Sequence, residues 1–301
     1  MELSIIIVNY NAKLLVADCI NSIYTHLKCV SFEIIVVDNG STDDSVNAIK
    51  STFPDVIIIS NKHNAGFSEA NNQGIKAAKG KYIFMLNPDT YLFDSSVCKL
   101  IDFVKEKGNI IAAPKLLNEN RTLQYSAWIN KGLFVILQEA CNLYVSAYPL
   151  EKYTEPHLVD NIKGAAMLFP KEIIEKVGYL DSSLFYMEDF DYCYRARKAG
   201  VSIYYYPKAY IIHYGEQSSN TNRNIATANF ILSKLTFYKK YHSKFETFLA
   251  FIFTLLHLVG SIVFLLLIWP FSKHYRKKLL PYIYSFGQFM AYIFTSRIPL
   301  A

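Results

Sequence analysis

The chain of 301 residues is 52% hydrophobic and 15% aromatic, with 23 Tyr and 21 Phe, which excludes a disordered polymer and allows one large domain plus an appendage. Its net charge of +6 is unevenly placed: from Lys234 onward nine Lys and Arg stand against one acid, Glu246, for a local net of +8, while the preceding 233 residues carry −2. The basic excess is thus confined to a tail that also holds the longest apolar run, which points to anionic lipid and away from nucleic acid.

Residues 3–8, LSIIIV, are apolar apart from Ser4 and rich in β-branched residues, and predict a strand buried on both faces. The run is too short, and lacks the basic flank, for a secretory leader, so none is expected. Helical spacing follows at Leu14, Leu15, Ala17, Cys19, Ile20 and Ile23. A second buried strand is predicted at 32–37, and DNGSTDDS then turns into a helix, with Ser41 and Asp44 spaced as a capping box. A third strand is expected at 56–60 and a helix over GFSEANNQGIKAAKG, with Gly80 as its terminating glycine. A fourth strand covers 81–86, a helix lies near 95–107, and IIAA is a strand. Residues 115–160 read as irregular and aromatic. IKGAAMLFPKEIIEKVG reads as a strand running into a short helix, followed by a helix over about 187–199 and strands at VSIYYY and AYIIHYG. Strands alternating with helices predict a mostly parallel α/β sheet.

Five cysteines without CxxC spacing fit a reducing compartment, with Cys19 and Cys193 as core residues. Phe248 to Phe271 is a stretch of 24 residues without Lys, Arg, Asp or Glu, long enough for a hydrocarbon core of about 30 Å. Lys239, Lys240 and Lys244 precede it and KHYRKK follows, so both flanks are basic; a re-entrant hairpin or helices lying in the interface would keep both on one side. The expected division is 1–240 as a catalytic domain and 241–301 as a basic, apolar, membrane-associated helical region.

In open α/β sheets ligands bind beyond the carboxyl ends of the strands. Asn9-Tyr10-Asn11, Asp38 and Asn87-Pro88-Asp89 fall there. Asp38 has two readings, an acceptor for a base or ribose, or a turn residue before Asn-Gly. Asp89 is either a ligand for a hard divalent cation or an Asp in a proline turn. His213 is either a further metal ligand or a structural histidine. No GxGxxG follows the first strand and no GxxxxGKS occurs, which disfavours dinucleotide and P-loop chemistry. In FYMEDFDYCYR, Glu188, Asp191, Tyr192 and Arg195 share a helix face, and Asp191 and Arg195 can pair at i,i+4. Glu188 and Asp189 stand in the first turn, where the helix dipole favours anions and would keep an Asp ionised and able to act as a base.

SIIIVNYN, EIIVVDNGSTDDS, NAGFSEANNQGIKAAKGKYIFMLNPDT, KGAAMLFPK and FYMEDFDYCYRARKAG…YPKAYIIHYG occur in the order seen in glycosyltransferase family 2. Over roughly residues 1–240 the chain resembles that family, in the form of the rhamnosyltransferase-like branch of bacterial surface polysaccharide synthesis. The resemblance implies a GT-A fold, a nucleotide-diphosphate sugar donor (dTDP- or UDP-linked), a divalent cation (Mg2+ or Mn2+) and inversion at the anomeric carbon. It implies that Asp38 binds the nucleotide, with Asn9 and Tyr10 beside it, and that Asn64, Gly66 and Asn72 match the donor-side pattern. Asp89 matches the last Asp of the DxD metal motif, whose other carboxylate is here Asn87. His213 matches a histidine that can complete the metal site. Asp189, beside Glu188, matches the catalytic base. With the basic, apolar tail, family habit suggests a polyprenyl-diphosphate-linked saccharide acceptor at the cytoplasmic face of a bacterial inner membrane. The competing expectation is a catalytically silent nucleotide-sugar-binding scaffold of a membrane assembly.

Overall fold

The structure, a computed structural model, describes residues 1–128, 153–215, 223–268 and 273–295. The described residues divide into two compact units, one of 1–128, 153–182 and 188–215, the other of 183–187, 223–268 and 273–295.

The first unit is built on β1 (Leu3–Asn9), β2 (Phe32–Asp38), β3 (Ile57–Ser60) and β4 (Tyr82–Leu86), which lie side by side in parallel. β1 and β2 run apolar over residues 5–8 and 34–37 because both of their faces are covered, while the buried Ser4 and Glu33 before these runs satisfy each other, Ser4 Oγ donating to Glu33 Oε1. Leu3, Ile5 and Ile7 face one core cluster, with Val16, Cys19, Ile20 and Ile23 of α1 (Lys13–His26) and Leu100, Ile101 and Val104 of α4 (Val97–Lys107). Ile6 and Val8 face the other, with Ala70 and Ile75 of α3 (Phe67–Ala77). α2 (Ser45–Thr52) follows the β2 turn, and β5 (Thr90–Tyr91) follows the β4 turn.

The rest of the sheet is mixed. β6 (Ile110–Leu117) carries the short antiparallel β7 (Leu123–Gln124), and β11 (Ala166–Pro170) lies antiparallel between β4 and β6. VSIYYY and AYIIHYG form one strand, β12 (Ser202–His213), parallel to β6, with a register shift between Tyr206 and Tyr210 around Pro207. β9 (His157–Leu158) adds to β12, while β8 (Ala127–Trp128) and β10 (Asn161–Ile162) pair separately. α5 (Ile173–Val177) and α6 (Glu188–Lys198) complete the unit. Asp191 Oδ2 accepts from Arg195 Nε at 2.7 Å, the expected i,i+4 pair, and the same guanidinium donates to the carbonyls of Val177 and Tyr179, tying α6 to the end of α5.

Three local expectations differ. Ser41 and Asp44 do not form a capping box: Asp44 stands at the N-cap with φ +62° and makes no side-chain cap bond, while Asp43 Oδ1 accepts from Ser45 N. Gly80 does not end α3, which closes on an extended Ala78; glycine is needed because a Cβ would lie 2.5 Å from Ser4 N and 2.7 Å from the Leu3 carbonyl carbon. Cys29 and Cys98 are disulfide-bonded across 69 residues of sequence, a pairing that spacing alone does not reveal. Cys19 and Cys193 are free and buried, as expected, and burial pushes both thiols up to about 12. Cys141 lies outside the described residues.

The second unit is helical: α7 (Arg223–Tyr241), α8 (Lys244–Ile268) and α9 (Lys273–Thr295). Thr236 and Tyr292 share a 2.7 Å hydrogen bond, Phe251 packs on Phe289 and Tyr292, and Ser233 Oγ both donates to the Phe185 carbonyl and accepts from its N–H. α8 buries a stripe at Ala250, Thr254, Leu258, Ser261 and Leu265. Its other faces, including Phe248, Leu256, Val263 and Leu267, are exposed. Among the described residues it is the one helix long and apolar enough to cross a membrane, and only 17% of its apolar window is buried.

Candidate active site

Parallel pairing brings the carboxyl ends of β1, β2 and β4 to one edge, with Asn9 opposite Asp38 and Ile7 opposite Leu86. There Asp38, almost fully buried, accepts from Asn9 Nδ2 at 2.8 Å through Oδ1 and from Ser41 N at 3.0 Å through Oδ2. Asn9 Nδ2 also reaches Ser45 Oγ at 2.8 Å. The carboxylate is therefore fixed in direction by a neighbouring strand and by its own turn. Asn9 Oδ1 is buried and has no hydrogen-bond partner. A buried acceptor left over at a sheet edge is costly unless a ligand donates to it.

The β4 turn holds Asn87 and Asp89. Asp89 and His213, the last residue of β12, are both buried, and Asp89 Oδ1 lies 3.3 Å from His213 Nε2. The pairing of β12 with β5, His213 opposite Thr90, and a 2.9 Å hydrogen bond from Tyr214 N to the Asp89 carbonyl fix this approach. His213 Nδ1 lies 2.6 Å from Gln124 Oε1. Gln124 Nε2 donates to the His213 carbonyl at 3.1 Å and to Asn118 Oδ1 at 3.0 Å. Asn87 Oδ1 is buried and unpartnered. A carboxylate oxygen and an imidazole nitrogen, with the Asn87 amide beside them placing its Nδ2 3.5 Å from His213 Nε2, offer two donors of a kind that fits a hard or borderline cation such as Mg2+ or Mn2+. Among the described residues no group of three His, Cys, Asp or Glu could hold a metal, so any cation here would take Asp89 and His213 together with oxygens of other kinds.

Asp189 sits in the first turn of α6. Its Oδ2 accepts from Gly164 N at 2.9 Å and its Oδ1 from Phe190 N at 2.8 Å. The residue keeps some exposed surface, but its carboxyl group is deep, and burial raises its pKa above the usual carboxylate value, against the backbone N–H groups of Gly164, Phe190 and Asp189 itself and the charge of Lys163, which lower it. Gly164 permits the close seat, since a Cβ there would come 3.3 Å from Asp189 Cβ. Residues 163–165 join the two centres. Gly164 holds Asp189, the Ala165 carbonyl accepts from Asn87 N at 2.9 Å, and Lys163 Nζ donates to Gln124 Oε1 at 3.3 Å.

Not every candidate faces this edge with a free polar group. Asn72 uses both ends of its amide on the backbone of Leu180, donating to its carbonyl and accepting from its N–H, each at 2.9 Å. Asn64 Oδ1 accepts from Gly66 N at 2.9 Å and from Asn39 Nδ2 at 3.2 Å, shaping the turn in which Gly66 takes φ +84°. Tyr10 is exposed beyond β1, and Glu188 is half-buried at the start of α6. Sequence reasoning missed Asn39, Ser45, Gln124 and Lys163. Asn39 and Ser45 stand within or beside DNGSTDDS, where polar density was the available signal. Gln124 falls in the stretch read as irregular and had none.

The sequence profile of Glycosyl transferase family 2 matches residues 4–178. The low-salt glycan biosynthesis hexosyltransferase Agl10 of Haloferax volcanii is 29% identical over 208 residues, 67% of this chain and 64% of that protein. The poly(ribitol-phosphate) beta-glucosyltransferase of Bacillus spizizenii is 34% identical over 125 residues, 40% of this chain and 20% of that protein. The chain thus spans less than two thirds of the length of these relatives. Among solved structures, the mannosyltransferase PcManGT of Pyrobaculum calidifontis in complex with GDP-Man and Mn2+ superposes with a TM-score of 0.59 at 14% identity, over 98% of this chain and 88% of that one. GalNAc-T7 with UDP, GalNAc and Mn2+ superposes with a TM-score of 0.56 at 18% identity, over 70% of this chain and 43% of that one. These likenesses show a GT-A-type fold, and with the profile covering more than half of its residues the chain belongs to glycosyltransferase family 2.

Proposed function

We propose that this glycosyltransferase inverts the anomeric centre of a nucleotide-diphosphate sugar while moving the sugar to a hydroxyl of a lipid-linked saccharide, at the cytoplasmic face of the bacterial inner membrane. The observation that carries the reading is the linkage, through residues 163–165, of a raised-pKa carboxylate at a helix start to a buried Asp–His pair at the sheet edge. Asp38 and Asn9 orient the nucleoside, with Tyr10, Asn64 and Gly66 shaping the mouth and Asn72 holding α3 behind it. A divalent cation held by Asp89 and His213 supplies, when bound, neutralisation of the departing diphosphate. Asp189 takes the proton from the acceptor hydroxyl as the oxygen attacks C1 from the face opposite the diphosphate, with Glu188 beside it. One base and one displacement give inversion. GDP-Man and UDP in the superposed structures support a donor of this chemical class, dTDP- or UDP-linked here, and rhamnose is the candidate sugar that the branch resemblance supports.

α8 supports the membrane reading. A core helix of a soluble protein would be mostly covered, whereas this one leaves Phe248, Leu256 and Leu267 at 58–69% exposure. Its 25 residues span about 37 Å at 1.5 Å per residue, enough for a hydrocarbon core of about 30 Å. Full-length protein is expected in the membrane fraction, resistant to high salt and released by detergent; protein soluble without detergent would remove the claim.

The functional test is a panel of nucleotide sugars offered to the purified full-length protein in vesicles with a polyprenyl-diphosphate-linked saccharide. Release of nucleoside diphosphate with one donor, dependent on acceptor, and a product of inverted anomeric configuration are expected. Donor binding without release from any member of the panel would favour the silent scaffold.

A further inference from the structure

We infer that Gln124 is a positioning residue for the cation site, holding His213 in the tautomer that carries its proton on Nδ1 and so presenting the Nε2 lone pair to Asp89. This rests on the cation reading proposed above and deepens it.

The amide of Gln124 has little freedom to turn over. Its Nε2 donates in two directions, to Asn118 Oδ1 at 3.0 Å and to the His213 carbonyl at 3.1 Å. Neither of those oxygens can donate, so the end facing them must be the NH2. Oε1 is thereby left facing the ring, where it accepts from Nδ1 at 2.6 Å and from Lys163 Nζ at 3.3 Å. An acceptor at that distance requires a hydrogen on Nδ1. In a neutral imidazole the other nitrogen then carries a lone pair, and it lies 3.3 Å from Asp89 Oδ1 and 3.5 Å from Asn87 Nδ2, a weak donor to it at that length. The long contact from Asn87 Nδ2 offsets little of the repulsion between the two acceptors, an arrangement suited to a cation between or beside them. An outer residue that fixes tautomer and ring orientation is a common support for a metal-ligating histidine. Here one side chain grips both the ring and the backbone carbonyl of the same residue, so it sets the rotation of the ring as well as the proton.

β7 puts Gln124 in place. It pairs antiparallel with β6, Gln124 opposite Leu116, and β6 in turn lies beside β12, where Leu117 meets Ile212. Asn118 closes the turn between β6 and β7, bonding Thr122 Oγ1 through Nδ2 at 2.9 Å while its Oδ1 receives Gln124. The hairpin that follows β6 therefore carries the support for a ligand on the neighbouring strand.

The test uses the full-length protein in detergent, with histidines labelled at nitrogen. In wild type without metal, the NMR shifts of His213, assigned by loss of its signal in His213→Gln, are expected to show a protonated Nδ1 and a bare Nε2. Gln124→Leu, close in size and without hydrogen-bonding atoms, should shift that pattern toward the other tautomer. Titrated with Mn2+ alone and followed by EPR of the free ion, Gln124→Leu should bind about 10–100-fold more weakly than wild type. Gln124→Glu keeps an acceptor for Nδ1–H but sets an oxygen against the His213 carbonyl and Asn118 Oδ1, so it should restore the tautomer and only part of the affinity. A proton on Nε2 in wild type, or a tautomer and Mn2+ affinity unchanged in Gln124→Leu, would overturn the inference. Loss of affinity in both variants alike would overturn it too, as a packing effect. If wild type shows the Nδ1–H tautomer and Gln124→Leu loses it, but wild type binds no Mn2+, Gln124 keeps its positioning role and the cation reading is what fails.

Discussion

Asp189→Asn is expected to lower turnover by about 10²–10⁴-fold, the usual cost of losing a general base, with donor affinity little changed. Asn keeps the size of the side chain but cannot take a proton. It also has only one oxygen for the two backbone donors, Gly164 N and Phe190 N, that now hold the carboxylate from both sides. Turnover by a buried base has a pH signature. The base works ionised, and burial raises the Asp189 pKa, so kcat/KM of wild type should fall on acidification at a pH above the ordinary Asp value of about 3.9. The stability linkage has the opposite use for the same charge. With the folded pKa above the unfolded one, the contribution of this group to folding is fully present below the unfolded value and is lost as pH rises through the folded value. The enzyme is thus expected to hold Asp189 ionised at working pH at some expense to the fold. A single-turnover assay across pH, with donor binding measured separately, checks both parts. An Asn variant keeping more than about a tenth of wild-type turnover would move the base elsewhere, since a true base costs at least 10²-fold.

What the sequence makes legible follows from what is local. β1 and β2 announce themselves because burial on both faces forces the apolar runs at 5–8 and 34–37, and the observed Leu3–Asn9 and Phe32–Asp38 extend the predicted strands by a residue. The Asp191–Arg195 pair is equally local, a matter of helical spacing. Direction and partner of a strand are not local: nothing in AMLFP shows that β11 runs antiparallel between β4 and β6. Nor does a two-residue strand such as β7 leave a period to detect, so Gln124 could not be singled out although it touches the histidine that motif order had flagged. Gly80 carries the same lesson in miniature. A glycine after a helical run looks like a helix stop, but the backbone of Ser4, 76 residues away, is what demands it. The proximity of Asp89 and His213, 124 positions apart, entered through the resemblance of whole motifs rather than through any spacing between them.

Asp89→Ala is expected to weaken donor binding, to abolish the response to Mg2+ or Mn2+, and to lower kcat/KM by about 10²-fold or more, because Lewis-acid stabilisation of a departing phosphoryl oxygen is worth several kcal/mol. The site has one carboxylate where two are common in the DxD arrangement, since Asn87 occupies the first position. Removing Asp89 leaves His213 Nε2 and the neutral amide of Asn87, neither of which carries negative charge. A site without charge holds a divalent cation poorly against water. Asp89→Asn separates charge from shape: it keeps an oxygen near the histidine while removing the charge, and should resemble Ala in metal response rather than wild type. The backbone at this position is not expected to move, because the hydrogen bond from Tyr214 N goes to the Asp89 carbonyl and not to its side chain. The measurement is a donor titration with and without EDTA for wild type and both variants. Wild type alone should respond to EDTA. Equal sensitivity in all three would place the cation away from Asp89. A wild type indifferent to EDTA would make the enzyme metal-independent and leave Lys163, whose charge already acts on Asp189, as the nearby cation to test next.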